Sequence, residues 1–249
     1  MTTRADTLFG YLARDSRPPD WRESARTAFQ IWVLGLAFLV VTWCERNTSR
    51  SVSAILVLIG IVYNVAVAGR LALTSASFSA YLTAHIERFD LIRVSLLSDA
   101  AVIRTLVHVT FYHNRRSLAE ACGALSVVWM ALVISTYWQV EAASNPADYL
   151  NNVVVALIIV LGLWLLHPVG ALVGIFSSLI GKRGELAVAA ALLLFIITIF
   201  VLLTVFASVT PFETSRILPP ISAVLTCLVP PGVLIVGGYA VVYGLLRRR

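Results

Sequence analysis

The sequence predicts an all-α, polytopic membrane helical bundle, with about six transmembrane helices, interfacial amphipathic helices and an internal repeat of helical hairpins. Three observations carry this expectation. Hydrophobic residues make up 59% of the chain and charged residues only 13%, with a mean hydropathy of +0.88. A water-soluble domain of that content could not cover its own surface. Six long apolar stretches are separated by hinges that alternate between arginine-rich and nearly arginine-free. Each stretch passes roughly 20 residues without an unpaired charge, the length that crosses a bilayer core.

Taken in order, residues 1–26 carry Arg4, Arg14, Arg17, Arg22 and Arg26 with Asp6, Asp15, Asp20 and Glu23. No apolar core or small-residue cleavage site precedes Ala28, so this reads as a cytoplasmic N-terminal segment rather than a cleavable signal peptide. A transmembrane domain follows over 27–249, with spans at 28–44, 52–69, 118–140, 149–166, 186–209 and 217–246. Arginine and lysine number five before the first span, six over 70–116, two at Lys182 and Arg183 and three over 247–249. The opposite hinges hold only Arg46, Arg50 and Arg216. By the positive-inside rule, both termini and the long central loop face the cytoplasm. Trp43 and Trp138 fall at the outer ends of their spans, where amphipathic rings meet headgroups. Of the 19 cationic side chains only Lys182 is lysine. With the alanine and valine richness, this points to a GC-rich bacterial genome, hence to a multi-pass protein of the bacterial cytoplasmic (inner) membrane.

Residues 94–112 are apolar enough to suggest a seventh span but contain Asp99, Arg104 and His108. A crossing there would carry the hinge His113-Asn114-Arg115-Arg116, and later Lys182-Arg183, to the outside, against the charge bias. Leu82, Ile86, Phe89, Ile92, Leu96, Ala100, Ile103 and Val107 recur at steps of three and four. That spacing predicts a cytoplasmic amphipathic helix at about 71–116, lying on the inner leaflet or packed against the bundle.

The repeat is read from two passages. Thr105-Leu-Val-His leads through Arg115-Arg116-Ser117 into the alanine-rich start of the third span, and Ala171-Leu-Val-Gly leads through Lys182-Arg183-Gly184 into that of the fifth. Each copy would be an amphipathic segment, a basic hinge, an outward span and a returning span, in parallel orientation. Residues 7–11 and the two spans after them read as a degenerate third copy. Small residues recur in register at Ala119 and Gly123, at Ala187 and Ala191, and at Gly170 and Gly174. Small-xxx-small steps let helix backbones approach closely in lipid, so these are the candidate helix-packing positions.

Motifs for chemistry are missing from the sequence. Gly181-Lys182-Arg183 has Phe176 where a P-loop needs glycine and Arg183 where it needs serine or threonine. His108 and His113 lie on different faces of a helix, and no carboxylate or cysteine keeps metal-ligand spacing with His85, His108, His113 or His167. Cys44, Cys122 and Cys227 are odd in number and sit in apolar runs, which reads as small buried hydrophobes. No hydrolase or metalloprotease pattern occurs. The expectation is a non-enzymatic protein without metal or cofactor and without a nucleic-acid partner.

Two functional readings remain. In one, the chain is a membrane scaffold or a subunit of a membrane complex. Its basic inner face, through Arg88, Arg93, Arg115 and Arg116, would hold anionic lipid headgroups of the bilayer, protein partners or a second copy in a homo-oligomer. In the other it is a small transporter or channel. Pro230-Pro231-Gly232 would break the sixth span into 221–229 and 233–246, and Asn64, in a stripe with Gly60 and Ala68, would supply a polar group at depth. A kink and an interhelical hydrogen bond are the plainer readings of the same residues.

The passages 105–140 and 171–209 each join an apolar segment, a short basic or glycine hinge and an alanine-rich span beginning Ser117-Leu118-Ala119 or Glu185-Leu186-Ala187. In this they resemble Yip1-type membrane proteins. The resemblance covers under a third of the chain and implies a non-enzymatic trafficking or scaffold role. That family usually has five spans, where this sequence predicts six and a long cytoplasmic helix.

Overall fold

Leu71, Ala72, Ala76 and Ala80 continue the apolar pattern past Arg70, and the helix of the second span continues with them. The computed structural model describes residues 21–42, 46–84, 99–140, 146–181, 184–209 and 224–248. Among these the chain forms seven α-helices and one π turn: α1 (Trp21–Thr42), α2 (Arg46–Ala84), α3 (Asp99–His113), α4 (Arg115–Val140), α5 (Pro146–Ile180), α6 (Gly184–Val209), the π turn (Val224–Leu228) and α7 (Val229–Arg248). The expectations placed on residues 7–11, Trp43, Arg88, Arg93, Lys182 and Arg183 lie outside the described residues.

Five helices are long and apolar enough to cross a membrane by length and composition: α1, α2, α4, α5 and α6. The sixth expected span is a shorter apolar stretch, Val229–Leu245, in α7. Its shortness follows from the prolines. Pro230 and Pro231 stand in the first turn of α7, where a missing N–H is tolerated. The rings would clash with carbonyls one α-turn back, and the chain approaches through a widened π turn instead.

At 39 residues α2 extends about 58 Å, and at 35 residues α5 extends about 52 Å. Both outrun a hydrocarbon core of about 30 Å. They run parallel, joined by a seam of small residues. A Cβ built on Gly170 would collide with the Ala68 carbonyl, and one on Gly174 with the Ala72 carbonyl and the Ser75 hydroxyl. The Ser75 hydroxyl donates to the Ala171 carbonyl at 2.7 Å, a hydrogen bond between the helices. Ala68, Ala72 and Ala76 are fully buried.

The amphipathic helix expected over 71–116 is therefore not one element. Residues 71–84 belong to α2, where Ala72 and Ser75 meet α5 and Ala76 and Ala80 are buried rather than set at an interface. Its other described part is α3, 15 residues or about 22 Å long, too short for the bilayer core. Val102, Ile103, Leu106 and Val109 of α3 pack on Leu172, Ile175 and Leu179 of α5 and on Val242 of α7. Arg104 and His108 point outward, so the helix is amphipathic and packs on the bundle. The corner from α3 into α4 turns at Asn114. Its N–H donates to the Thr110 carbonyl at 3.1 Å, and its carbonyl accepts from Leu118 N–H at 2.9 Å.

The remaining helices pack around this pair. α4 lies antiparallel to α2, with Gly60 against Val128 and Arg70 near Ser117. α1 lies parallel to α4, with Gly35 against Val127 and Gly123 against Ala28, whose carbonyl oxygen is 2.6 Å from a Cβ built on Gly123. α6 buries Ala187, Ala191 and Phe195 and exposes Leu193, Ile196 and Phe200, a face suited to lipid. The parallel repeat expects α1 to share its direction with α4 and α2 with α5, as any alternating series of spans does. One feature departs from it: the second apolar segment, 171–180, is continuous with α5, whereas α3 stands apart.

Two substitutions test the seam. Gly174→Leu is expected to destabilise the bundle by about 1–3 kcal/mol or more, because overpacking meets backbone rather than a yielding side chain. Gly237→Ala, with nothing within 4 Å of its Cβ, should be neutral or stabilising by up to about 1 kcal/mol. Unfolding in mixed micelles measures both, and equal effects would contradict the seam.

Candidate functional site

Arginines at the N-terminal ends of α1 and α4 meet Arg70 of α2 because α2 runs opposite to the other two. Arg116 is the hub. Its Nε lies 3.1 Å from Glu120 Oε1 one turn along α4, and its Nη1 lies 3.3 Å from Glu23 Oε1 on α1. The Tyr63 hydroxyl of α2 donates to the other Glu120 oxygen, Oε2, at 2.6 Å. Arg70 donates to the Ser117 hydroxyl at 3.1 Å. The Arg115 guanidinium sits 4.7 Å from the centre of the Tyr112 ring, within cation–π range. The carboxylates of α1 and α4, Glu23 and Glu120, both go to Arg116. Arg70 and Arg115 thus meet a hydroxyl and an aromatic ring, and Arg26 and Arg70 remain exposed. This end carries an excess of fixed positive charge beside the first turns of two helices.

The other sequence candidates fall in separate places. Asn64 is fully buried, its Nδ2 donating to the Gly60 carbonyl at 2.8 Å on its own helix. Pro231 lines an apolar cavity of about 200 Å³ with Ile61 and Val65 of α2, Leu163 of α5, Leu202 of α6 and Cys227 of the π turn. Asn64 is not among its lining residues. Gly232 faces open space. Gly123, Ala187 and Ala191 are buried at helix contacts, while Ala119 is half-buried. Cys122 is exposed and Cys227 half-buried, which corrects the expectation of buried cysteines. On a helix surface facing hydrocarbon, an exposed thiol is as much at home as a buried one. Among the described residues no three His, Cys, Asp or Glu side chains gather as metal ligands.

Sequence reading missed the role of His167. Pro168 stands inside α5 and has no N–H to donate to the carbonyl of Trp164, four residues earlier. His167 Nδ1 lies 2.9 Å from that carbonyl. A carbonyl only accepts, so Nδ1 carries the proton and replaces the donor that proline removed. The signal was present in the adjacency of a donor side chain and a mid-helix proline. Tyr63 was missed as well, since nothing in its local sequence marks a partner 57 positions away.

No protein-family model, no curated protein and no solved structure matches this chain. The Yip1-type resemblance of 105–140 and 171–209 is therefore accompanied by no family match.

The His167 cap is open to a double-mutant test. His167→Leu is expected to cost about 1–3 kcal/mol by orphaning the Trp164 carbonyl. Adding Pro168→Ala, which restores the backbone donor, should recover most of that loss in a mixed-micelle unfolding assay. Strict additivity of the two substitutions would refute the assignment.

Proposed function

We propose that this chain is a non-enzymatic integral membrane scaffold or subunit of a membrane complex, and that its arginine-rich end holds anionic lipid headgroups and, through them or directly, protein partners. One observation carries the reading: Arg26, Arg70, Arg115 and Arg116 gather at one end of the bundle, and the two carboxylates of α1 and α4 are both taken up by Arg116. Cations near an anionic leaflet contribute about 1 kcal/mol each. By the positive-inside rule we assign this end to the cytoplasmic face of a bacterial inner membrane.

The chemistry elsewhere supports the same reading. Several buried hydroxyls are used within the bundle, Thr110 donating to Leu106, Ser177 to Gly174 and Ser178 to Ile175, while those of Ser24, Ser53 and Ser79 meet no partner among the described residues. The cavity beside Pro231 is lined by apolar side chains, which suits hydrocarbon better than an ion path.

The test uses the protein in nanodiscs of mixed phosphatidylglycerol and phosphatidylcholine. The lipid retained after extraction is expected to be enriched in phosphatidylglycerol. Replacing Arg26, Arg70 and Arg115 together by glutamine should remove most of that enrichment and its salt sensitivity while leaving the Arg116 ion pairs in place. Retained lipid matching the bulk composition in the unmodified protein would overturn the proposal.

A further inference from the structure

Among the described residues, two fully buried groups on the central helices that can only accept stand without a partner, Oδ1 of Asn64 on α2 and Nε2 of His167 on α5; the Ser53 hydroxyl of α2, also without one, can donate as well. Their chemistry is fixed by what the other end of each side chain does. Asn64 Nδ2 donates to the Gly60 carbonyl, so its oxygen is the group left over. His167 Nδ1 donates to the Trp164 carbonyl, so in the neutral ring Nε2 presents a lone pair.

Their level in the bundle follows from the α2–α5 register. Ala68 touches Gly170, and the helices are parallel. Asn64 lies four residues before Ala68 and His167 three before Gly170, so each sits one turn back from that contact on the same side of its helix. The side is closed by α4. Gly60, whose carbonyl holds Asn64, abuts Val128, and Trp164, whose ring lies 5.0 Å from that of His167, packs with Val67, Leu118 and Ala121.

We propose that Asn64 Oδ1 and His167 Nε2 form a buried two-acceptor site that takes one small neutral hydrogen-bond donor, of the size of water or ammonia. Two acceptors cannot satisfy each other, whereas one molecule with two or more hydrogens can bridge them. A neutral molecule fits better than an ion. The carboxylate beside this region, Glu120, is already held by Tyr63 and Arg116, and two neutral acceptors do not offset the desolvation of a full charge. A metal ion would find one imidazole and one amide oxygen, and no third His, Cys or carboxylate groups with them among the described residues. The site is separate from the arginine-rich end and independent of the lipid-binding proposal.

Solid-state NMR on the full chain in lipid bilayers, with ¹⁵N-labelled histidine, tests this directly. His167 is assigned by the signals lost in His167→Gln. In the unmodified protein Nδ1 should be protonated, and Nε2 unprotonated with the shift of a hydrogen-bonded acceptor. Polarisation transfer from water to Nε2 would identify water as the donor. Its replacement, on adding ammonium chloride at alkaline pH, by a contact to ammonia nitrogen would show that the site accepts ammonia as well. Asn64→Leu should abolish the transfer while the Nδ1 proton signal persists. An Nε2 that carries its own proton, a free lone-pair shift with no transfer from either molecule, or transfer unchanged in Asn64→Leu would each overturn the two-acceptor site.

Discussion

In hydrocarbon, water does not drive helices together, so a bundle must hold itself by close contact and by hydrogen bonds between helices. Here that requirement is met along the α2–α5 seam, where Gly170 and Gly174 let one backbone lie on another and Ser75 bonds to the Ala171 carbonyl. The rest of the arrangement depends on it. The seam keeps both helices continuous beyond the thickness of a bilayer, and their extensions provide the surface on which α3 and α7 pack. It also sets the level at which Asn64 and His167 are enclosed.

Much of this architecture could be read from the chain. Apolar runs of bilayer length marked the helices that could cross, and the Gly170–Gly174 and Ala119–Gly123 spacings marked places where helices draw close. At the first pair both glycines meet backbone; at the second, Gly123 meets Ala28 while Ala119 is only half-buried. Spacing gives a helix face but not its partner. The interfacial helix expected over 71–116 rests on the apolar period from Leu82 to Val107, and a stripe that packs on a neighbouring helix and one that lies on a leaflet have the same periodicity. Only the seam decides between them, and the seam is a contact between segments about 100 positions apart.

The arginine-rich end was legible as a composition and illegible as a geometry. Charge counting found Arg115 and Arg116 but could not tell that Arg116 would hold two carboxylates while Arg115 covers Tyr112. It counted Arg70 on the same face but not the contact with Ser117, which forms because α2 and α4 are antiparallel. The two proline sites make a similar contrast. Pro168 in mid-helix is tolerated because a neighbouring imidazole supplies the lost donor. Pro230 and Pro231 needed no such help, because they open a helix rather than interrupt one.

The Ser75–Ala171 bond spans 96 positions of sequence. Parallel neighbours cannot form a hairpin, so α2 must wait in the bilayer while α3, α4 and most of α5 are made. The central seam therefore becomes available only once most of α5 has been made, and the core residues of α6 and α7 follow it. Until it closes, Ala68, Ala72 and Ser75 of α2 lack their α5 partners, and the nascent chain is held by contacts among α1, α2, α3 and α4. The glycines that let the finished bundle close so tightly thus impose an order on its assembly, in which the fold is complete only after the second long helix has entered the membrane.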